Sequence, residues 1–452
     1  MAGRSADAAH ETDDAASGGG AGMKDEGGAA GSGTAAAGAA GDGGGAGEAG
    51  AMGTPIGPGK NTCVFPAASA LPRAALAPGF CAWVWATGAV QARGLKVDTK
   101  GNALVVATST GSIISLWDDD HDGVSGASEQ RVIATLKGLT HGIEVHGGYL
   151  YASTQTDVYR WRYAADRAVL GTPQVVVSAL PSTGHMTRTL VADDQYLYVS
   201  VGSGANIDAD SSRARIVRFA LSSLSGAAST FASGELFADG LRNNVGMELD
   251  TRGRLWGVDN GRDDLSRADL GGDIHQDNPA EELNLFTKAG GYYGFPFCWT
   301  QYDLPGAPST PRGTQWADPA FIGDGVHTDA WCRNPSHVSP PIASLPAHAA
   351  PLDLLFYSGP SFPTSFKNGV FIASHGSWDR AEPIGYELLF LPLNQNDEPN
   401  GEATMILGYD MAAHSPTLWP YRPVSMATLP NGVLLLSNDV GSSMILAVGY
   451  AP

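Results

Sequence analysis

Residues Leu190-Val-Ala-Asp-Asp-Gln-Tyr-Leu-Tyr-Val199 form two short apolar runs separated by a polar turn. This arrangement is typical of a β-hairpin. The pattern recurs along the chain, with Asn-Gly, Gly-Gly or a similar pair supplying the positive φ that a tight turn requires. The copies lie at residues 95–106, 143–152, 190–199, 247–256, 366–373 and 426–436, the fifth being the weakest. The chain is therefore predicted to consist of repeated β-units.

The hairpins recur about 40 to 60 residues apart, with a wider gap across residues 261–363. This spacing fits blades of four short strands. We therefore predict an all-β protein, a six-bladed β-propeller of four-stranded antiparallel blades. A propeller also suits the chain length, because each blade packs only on its neighbours while a single layered core stops growing at about 250 to 300 residues. Two packed β-sandwiches are the alternative.

Composition supports a turn-rich chain and limits its partners. The 452 residues include 59 Gly and 28 Pro, and the formal net charge is −19. Nucleic acids and anionic membrane surfaces attract Lys and Arg, so neither is an expected partner. There is no apolar run of the about 18 to 20 residues that a transmembrane helix needs. A small neutral substrate fits this composition better.

Residues 1–60 are nearly all Gly, Ala, Ser, Asp and Glu. Such a segment buries too little apolar surface to offset its chain entropy, so we predict a disordered Gly/Ala-rich tether preceding a propeller domain at 61–452. The first residues lack the basic and apolar regions of a signal peptide. Export is therefore inferred from the cysteines alone.

Four cysteines occur at positions without a C-x-x-C metal spacing. Two local pairs, Cys63 with Cys81 and Cys298 with Cys332, would suit disulfides in a secreted or periplasmic protein. Four unpaired buried thiols are the alternative.

An acidic loop, Asp118-Asp-Asp-His-Asp-Gly123, follows the first hairpin. Asp118, Asp120, Asp122 and Glu129 occupy the ligand positions of the twelve-residue D-x-D-x-D-G-x5-E calcium loop, and glycine allows its sharp bend. The flanking segments look like strands, so we expect a structural calcium site between two strands and no EF-hand. An acidic, solvated turn is the alternative.

Further motifs follow one another in a fixed order. They are Gly240-Leu-Arg-Asn243, Pro279-Ala-Glu-Glu-Leu-Asn284, Gly290-Gly-Tyr-Tyr-Gly-Phe-Pro296, Ala373-Ser-His-Gly-Ser-Trp-Asp-Arg380 and Arg422-Pro-Val. Together they resemble the glucose/sorbosone dehydrogenase family of soluble quinoproteins, and the resemblance extends over residues 92–448. It implies a six-bladed propeller that uses pyrroloquinoline quinone (PQQ) and calcium.

The resemblance also implies roles for individual residues. His185, before the third hairpin, corresponds to the family's general base, a role that suits an imidazole titrating near neutral pH. Arg242 corresponds to the residue that faces the quinone carbonyl and stabilises negative charge there. The residues expected to bind the cofactor's carboxylates and carbonyls are Arg93, Arg242, Asn243, His375, Arg380 and Arg422.

The family's catalytic calcium is bound by the quinone and by backbone carbonyls just before the P-x-[DE]-E motif. Gln276 and Asp277 lie there in this chain, although the sequence departs from the glycine-proline pattern of the glucose-oxidising members. Glu281 and Glu282 are expected either to bind a further structural cation or to cap a turn.

The sequence thus predicts a dehydrogenase that oxidises an aldose or a 2-ketoaldose such as sorbosone and passes electrons to an external acceptor, a cytochrome or a quinone pool. A calcium-dependent lactonase on a similar propeller is one alternative, and a non-enzymatic binding propeller is another. A lactonase has no use for Arg242, Arg380 and Arg422 around the channel, and neither alternative requires a quinone.

Overall fold

The computed structural model describes residues 62–63, 71, 73–89, 91–304, 310–409, 421–441 and 444–452. These residues form six principal β-sheets, which are the blades of a propeller. The predicted all-β, six-bladed fold is confirmed. The tail predicted to be disordered lies outside the described residues, and the domain boundary at residue 61 stays a prediction.

The blades are numbered along the chain, and the first strand of each blade is the innermost, since it contacts the first strands of both neighbouring blades. Blade 1 contains Ala92–Val97, Ala103–Ala107, Ser112–Leu116 and Gln130–Thr135; blade 2 contains Leu139–His146, Tyr149–Thr154, Val158–Tyr163 and Val169–Ser178. Blade 3 contains Leu190–Ala192, Tyr196–Val201, Arg215–Ala220 and Glu235–Asp239; blade 4 contains Asn244–Leu249, Leu255–Asp259, Glu281–Phe286 and Ala343–Leu345. Blade 5 contains Pro351–Leu355, Gly369–Ser374, Glu387–Pro392 and Thr404–Tyr409; blade 6 contains Pro423–Thr428, Leu434–Asn438, Met444–Tyr450 and, outermost, Phe80–Thr87.

Three blades carry a fifth strand that four-stranded repeats do not predict. Ser229–Thr230 joins blade 2 and Gly291–Tyr292 joins blade 3, both in parallel pairing. Ala74–Leu76 joins blade 5 in antiparallel pairing. The extra strands are short and lie at outer edges, so the four-stranded unit is retained.

Blade 6 closes the ring by combining the two ends of the propeller. Its outermost strand, Phe80–Thr87, pairs antiparallel with the C-terminal strand. Trp83 and Trp85 of this closing strand are each 2% exposed and pack between blades 6 and 1 against Leu95, Val105 and Ile445. Burying a large apolar side chain is worth about 1.5 to 3 kcal/mol. The closing strand is therefore anchored by the core between two blades.

The remaining elements are short. Ribbons pair Ser266–Arg267 with Gly272–Asp273 and Cys298–Thr300 with Gln315–Ala317. One α-helical turn spans Asp329–Cys332, and 3-10 turns span Ala127–Glu129, Leu221–Ser225, Phe231–Ser233, Ala268–Leu270, His275–Asp277 and Thr364–Lys367. None of the described helices is both long and apolar enough to cross a membrane.

The predicted hairpin at 366–373 is wrong in its first strand. Phe366 lies in a 3-10 turn, and Gly369–Ser374 pairs instead with Pro351–Leu355. Proline lacks the N–H that a central strand donates, so Pro360 and Pro363 prevent strand pairing here. The Phe366 ring packs instead on Phe80 and Phe390.

Both predicted disulfides are present: Cys63 is bonded to Cys81, and Cys298 to Cys332. The first fastens the segment before the propeller to the closing strand. The second joins a ribbon to the helical turn within the long insertion of blade 4.

We expect the double variant Cys298→Ala/Cys332→Ala to unfold more easily, because the bond closes a loop with a sequence separation of 34 residues. Chain entropy predicts a loss of about 3 to 4 kcal/mol in the free energy of unfolding. Denaturant unfolding under oxidising conditions measures it. Reductant should then lower the midpoint of the wild type more than that of the variant, and an unchanged midpoint in the double variant would contradict the prediction.

In each antiparallel blade, the chain enters the first strand and leaves the second at the same edge. We call the side of the propeller that carries these connections the upper face and the opposite side the lower face. Arg93, Arg242 and Arg422 lie at or just before first strands, and His375 directly follows a second strand. The fold therefore gathers the arginine and histidine candidates on the upper face.

Candidate active site

His185 is held by Ser203 in the neighbouring upper-face loop. Its backbone N–H donates to Ser203 O at 3.0 Å, and its ring Nδ1 lies 3.1 Å from both Ser203 O and Ser203 Oγ. The Ser203 hydroxyl itself donates to Ala205 O at 2.7 Å. Both partners of Nδ1 therefore accept, so this network assigns the proton to Nδ1 and leaves the lone pair on Nε2. That tautomer is the one a general base needs.

The surroundings of His185 favour the neutral ring. The residue is 6% exposed. Burial lowers the pKa of His185 to about 3, and the positive charge of Arg242 acts in the same direction. Gly202 lies between His185 and Asn243, where an added Cβ would come within 2.8 Å of the His185 Cβ. Only glycine allows this close approach.

Arg242 is 5% exposed, and its guanidinium is fixed on several sides. Nη1 donates to Gly261 O at 2.7 Å, Nη2 donates to Asp263 Oδ2 at 2.8 Å and to Asn206 Oδ1 at 3.0 Å, and Nε donates to Asn206 O at 3.3 Å. Of its five N–H groups, one on Nη1 has no acceptor among the described residues. Ser203 N–H donates to Arg242 O at 2.7 Å, so Ser203 connects both catalytic candidates.

Buried carboxylates support the turn that carries Arg242 and Asn243. Asp259 accepts the backbone N–H groups of Arg242 at 3.1 Å and Asn243 at 2.8 Å. Glu281 accepts Gly261 N–H at 2.7 Å, and burial raises the pKa of Glu281 to about 8. Glu282 accepts from Asn284 at 3.0 Å and from Thr300. Both glutamates thus stabilise local structure, and the choice between turn capping and a cation site stays a prediction.

Arg93 and His375 meet at one carboxylate. Arg93 Nη1 donates to Asp439 Oδ2 at 2.8 Å, and His375 Nε2 lies 2.9 Å from Asp439 Oδ1. His375 is 0% exposed. In this structure the buried His375 ring contacts Asp439. Direct contact between His375 and a cofactor stays a prediction.

Among the candidates for cofactor binding, Arg422 is the best suited to bind an anionic group. Nε and Nη2 donate to His375 O and Gly376 O, each at 3.0 Å, and the guanidinium lies 5.2 Å from the Tyr386 ring centre. Burial lowers the pKa of Arg422 against the attraction of Asp439, and no carboxylate of the described residues forms an ion pair with it. An anionic group would offset this buried charge.

Arg380 forms hydrogen bonds with the residues that were predicted to bind calcium. Its Nη1 donates to Gln276 O and, at 3.0 Å, to Asp277 Oδ1. Gln276 Oε1 accepts Ala381 N–H at 2.9 Å. The 3-10 turn at 275–277 is thus tied to the loop after Ser374, and its carbonyl ligands stay a prediction.

A cluster that sequence reasoning missed lies beside Arg242. Ligand atoms of Asp263, His348 and Asp379 all lie within 4.8 Å of one another. His348 Nε2 lies 2.7 Å from His275 O, so it donates to this carbonyl and its lone pair is on Nδ1. His348 Nδ1 is 3.8 Å from Asp263 Oδ1, too far for a hydrogen bond, and the residue is 5% exposed. The available sequence signal is that His348, like Arg242, lies just before a first strand.

The acidic loop is separate from these residues. It joins the third and fourth strands of blade 1, which places it on the lower face. Ligand atoms of Asp118, Asp120 and Glu129 lie within 4.8 Å of one another. Asp122 is exposed, and its Oδ1 accepts Val124 N–H at 3.0 Å.

The comparisons with known proteins place the chain among the soluble PQQ-dependent sugar dehydrogenases that the motif order resembles. The chain belongs to the TrAA12-like family, whose sequence model matches residues 74–449.

Three relatives illustrate the similarity. The chain is 34% identical over 381 residues to a PQQ-dependent sugar dehydrogenase of Hypocrea jecorina, covering 78% of this chain and 84% of that protein. It is 31% identical over 326 residues to a PQQ-dependent pyranose dehydrogenase of Coprinopsis cinerea; the match covers 68% of this chain and 43% of the longer protein. The calcium structure of a Trichoderma reesei carbohydrate-active enzyme of family AA12 superposes with a TM-score of 0.76 at 29% identity, covering 86% of this chain and all of that chain.

Proposed function

We propose that this protein oxidises a sugar with PQQ as the redox cofactor and calcium as the metal. One observation carries the proposal: Ser203 fixes His185 as the neutral tautomer with its lone pair on Nε2 and also binds the backbone of Arg242. Ser203 thus positions both the proposed base, His185, and the proposed stabiliser of negative charge, Arg242. The printed names of the Hypocrea and Coprinopsis relatives support the same cofactor and substrate class.

The upper face fits a cofactor that carries carboxylates. Arg422 has a part-buried charge with no direct ion pair among the described residues, and a PQQ carboxylate would supply one. Arg380 and Arg93 supply further guanidinium groups from blades 5 and 1, each already paired with one carboxylate, Asp277 and Asp439. Charge-assisted hydrogen bonds of this kind are short and about twice as strong as neutral ones. We assign the cofactor's carboxylates to Arg422 and Arg380, with Asn243 beside His185.

The cluster of Asp263, His348 and Asp379 fits the cation of this site. Two carboxylates and a nitrogen lone pair face one another there, and a bound cation removes their mutual repulsion. Gln276 O and Asp277 already accept from Arg380. We therefore assign calcium to Asp263 and Asp379, whose oxygen ligands calcium prefers, with His348 at the edge of the site.

Bound PQQ and calcium would supply the acceptor for the hydride that leaves the sugar carbon. His185 Nε2 takes the proton of the substrate hydroxyl, because this atom has the lone pair of the neutral ring. The free N–H of Arg242 Nη1 stabilises the negative charge that develops opposite the base. The ring stays oriented throughout because Ser203 accepts from Nδ1.

We propose an aldose or a 2-ketoaldose as the substrate, oxidised at a hemiacetal or aldehyde-hydrate carbon, with electrons leaving to an external acceptor. The disulfides support an extracytoplasmic location, where such bonds persist. A lactonase is the second candidate, favoured only by the side-chain metal cluster.

Reconstitution tests the proposal. Metal-stripped protein is loaded with calcium and PQQ, and dye reduction is measured across aldoses, 2-ketoaldoses and lactones. Quinone-dependent dye reduction supports the dehydrogenase. Lactone hydrolysis without dye reduction would support the lactonase, and absence of both reactions together with absence of quinone binding would favour a binding propeller.

Arg422→Gln is expected to weaken PQQ binding by about 10- to 100-fold, because it removes a charged hydrogen-bond donor worth about 1.5 to 3 kcal/mol. Titration of quinone absorbance against protein measures the affinity. Arg312→Gln, at a half-exposed surface arginine, is the matched control. Equal affinities in both variants would remove Arg422 from the cofactor site.

A further inference from the structure

The acidic loop at 118–129 contacts three blades on the lower face. It belongs to blade 1, and it meets the closing strand of blade 6 through Trp83 Nε1–H, which donates to Gly123 O at 2.7 Å. Ser125 N–H donates to Trp85 O at 2.7 Å. On the other side, Asp119 forms a two-bonded ion pair with Arg167 of the loop between the outer strands of blade 2. The loop therefore lies across the junction where the ring closes.

The loop leaves one carboxylate oxygen without a partner among the described residues, while the Glu129 carboxylate accepts the N–H groups of Asp119 at 2.6 Å and Gly126 at 3.0 Å. Asp118 Oδ1 has less than 1 Å² of accessible surface and no hydrogen-bond partner within the described part of the chain. Burial raises the pKa of Asp118, and the charges of Glu129 and Asp122 add to the effect, against Gly123 N–H and His121. Arg167 is engaged with Asp119. An orphaned, buried carboxylate oxygen beside two further carboxylates is the environment that a divalent cation relieves.

We propose that this loop binds one calcium ion and that the ion fixes the closing strand of the propeller. Asp118, Asp120 and Glu129 supply oxygen ligands that lie within 4.8 Å of one another. Gly123, with a φ of +89°, makes the sharp bend that a calcium loop needs after its fifth position. The ion stiffens the segment that accepts from Trp83 and donates to Trp85, so calcium stabilises ring closure. This role is independent of the proposed sugar oxidation.

Terbium provides the direct test, because indole rings sensitise terbium luminescence and Trp83 and Trp117 adjoin the loop. The full chain, stripped of metal, is titrated with terbium and then with calcium. We expect luminescence that calcium displaces, that falls well below the wild-type level in Glu129→Gln and that stays near the wild-type level in His348→Ala, a change at the edge of the upper-face cluster. Asp194→Asn, at a fully exposed turn carboxylate, is the matched control.

Thermal unfolding supplies the second readout. Calcium should raise the unfolding midpoint of the wild type and of Asp194→Asn by several degrees more than that of Glu129→Gln, whose remaining shift comes from calcium at the upper-face cluster. If Glu129→Gln does not fold, Asp120→Asn at the exposed ligand replaces it. Luminescence as strong as that of the wild type in the loop variants, or a calcium-induced shift as large as that of the wild type, would overturn the proposal. Quinone binding is unaffected by either result, so the proposed function stands or fails separately.

Discussion

His185→Ala is expected to lower kcat for sugar oxidation by about 10²- to 10⁴-fold, the usual contribution of a general base. The expectation follows from the tautomer: Nδ1 donates to Ser203, and Nε2 alone can take the substrate proton. PQQ binding should change little, since the carboxylate contacts are assigned to the arginines. Single-turnover reduction of the bound quinone separates the chemical step from binding. A variant that reduces the quinone within about threefold of the wild-type rate would exclude His185 as the base.

The pH profile tests the same residue without removing it. An exposed histidine has a pKa near 6.5 and is mostly protonated at pH 5. Burial, followed by the charge of Arg242, lowers the pKa of His185 to about 3 before the anionic cofactor binds. The base form therefore persists at lower pH, and the acid limb of kcat/KM should lie below pH 6.5. An acid limb of kcat/KM at or above pH 6.5 would show that burial and Arg242 do not lower the pKa of His185 in the working enzyme.

The blades could be predicted from sequence because their hairpins are local. Turn residues and apolar alternation lie within about ten residues of each other, and local patterns of this kind determine a strand pair. The exception is blade 5, where Pro351–Leu355 and Gly369–Ser374 are separated by a loop containing two prolines. Phe366 fits the strand pattern in the sequence, but in the structure it lies in a 3-10 turn. Pairing across a long connection leaves no comparable local signal.

The candidate site was predictable only where a motif carries it. His185 and Arg242 were found by resemblance, but their common support is the backbone of Ser203, which residue type does not reveal. The cluster of Asp263, His348 and Asp379 joins three segments that only the arrangement of the blades brings together. His375 shows the converse limit, since it lies in a motif and yet is fully buried against Asp439.

Arg242→Gln is expected to lower kcat/KM by about 10²- to 10³-fold, because one preorganised donor to developing negative charge is worth that much. The substitution keeps a polar group but loses both the charge and the fork that holds Asp263, Asn206 and Gly261 O. Arg242→Lys restores the charge without the fork, so it should recover little of the lost rate. Steady-state kinetics of the reconstituted variants measure both effects.

A shift in the pH profile distinguishes this role from a structural one. The positive charge of Arg242 lowers the pKa of His185, so its removal makes the imidazolium easier to form and raises that pKa. Protonation then begins at a higher pH, and the acid limb of kcat/KM in Arg242→Gln should move upward relative to the wild type. Arg242→Lys should keep the limb near its original position. A loss of rate with an unmoved limb in Arg242→Gln would mean that Arg242 acts only by holding the loop of Asp263.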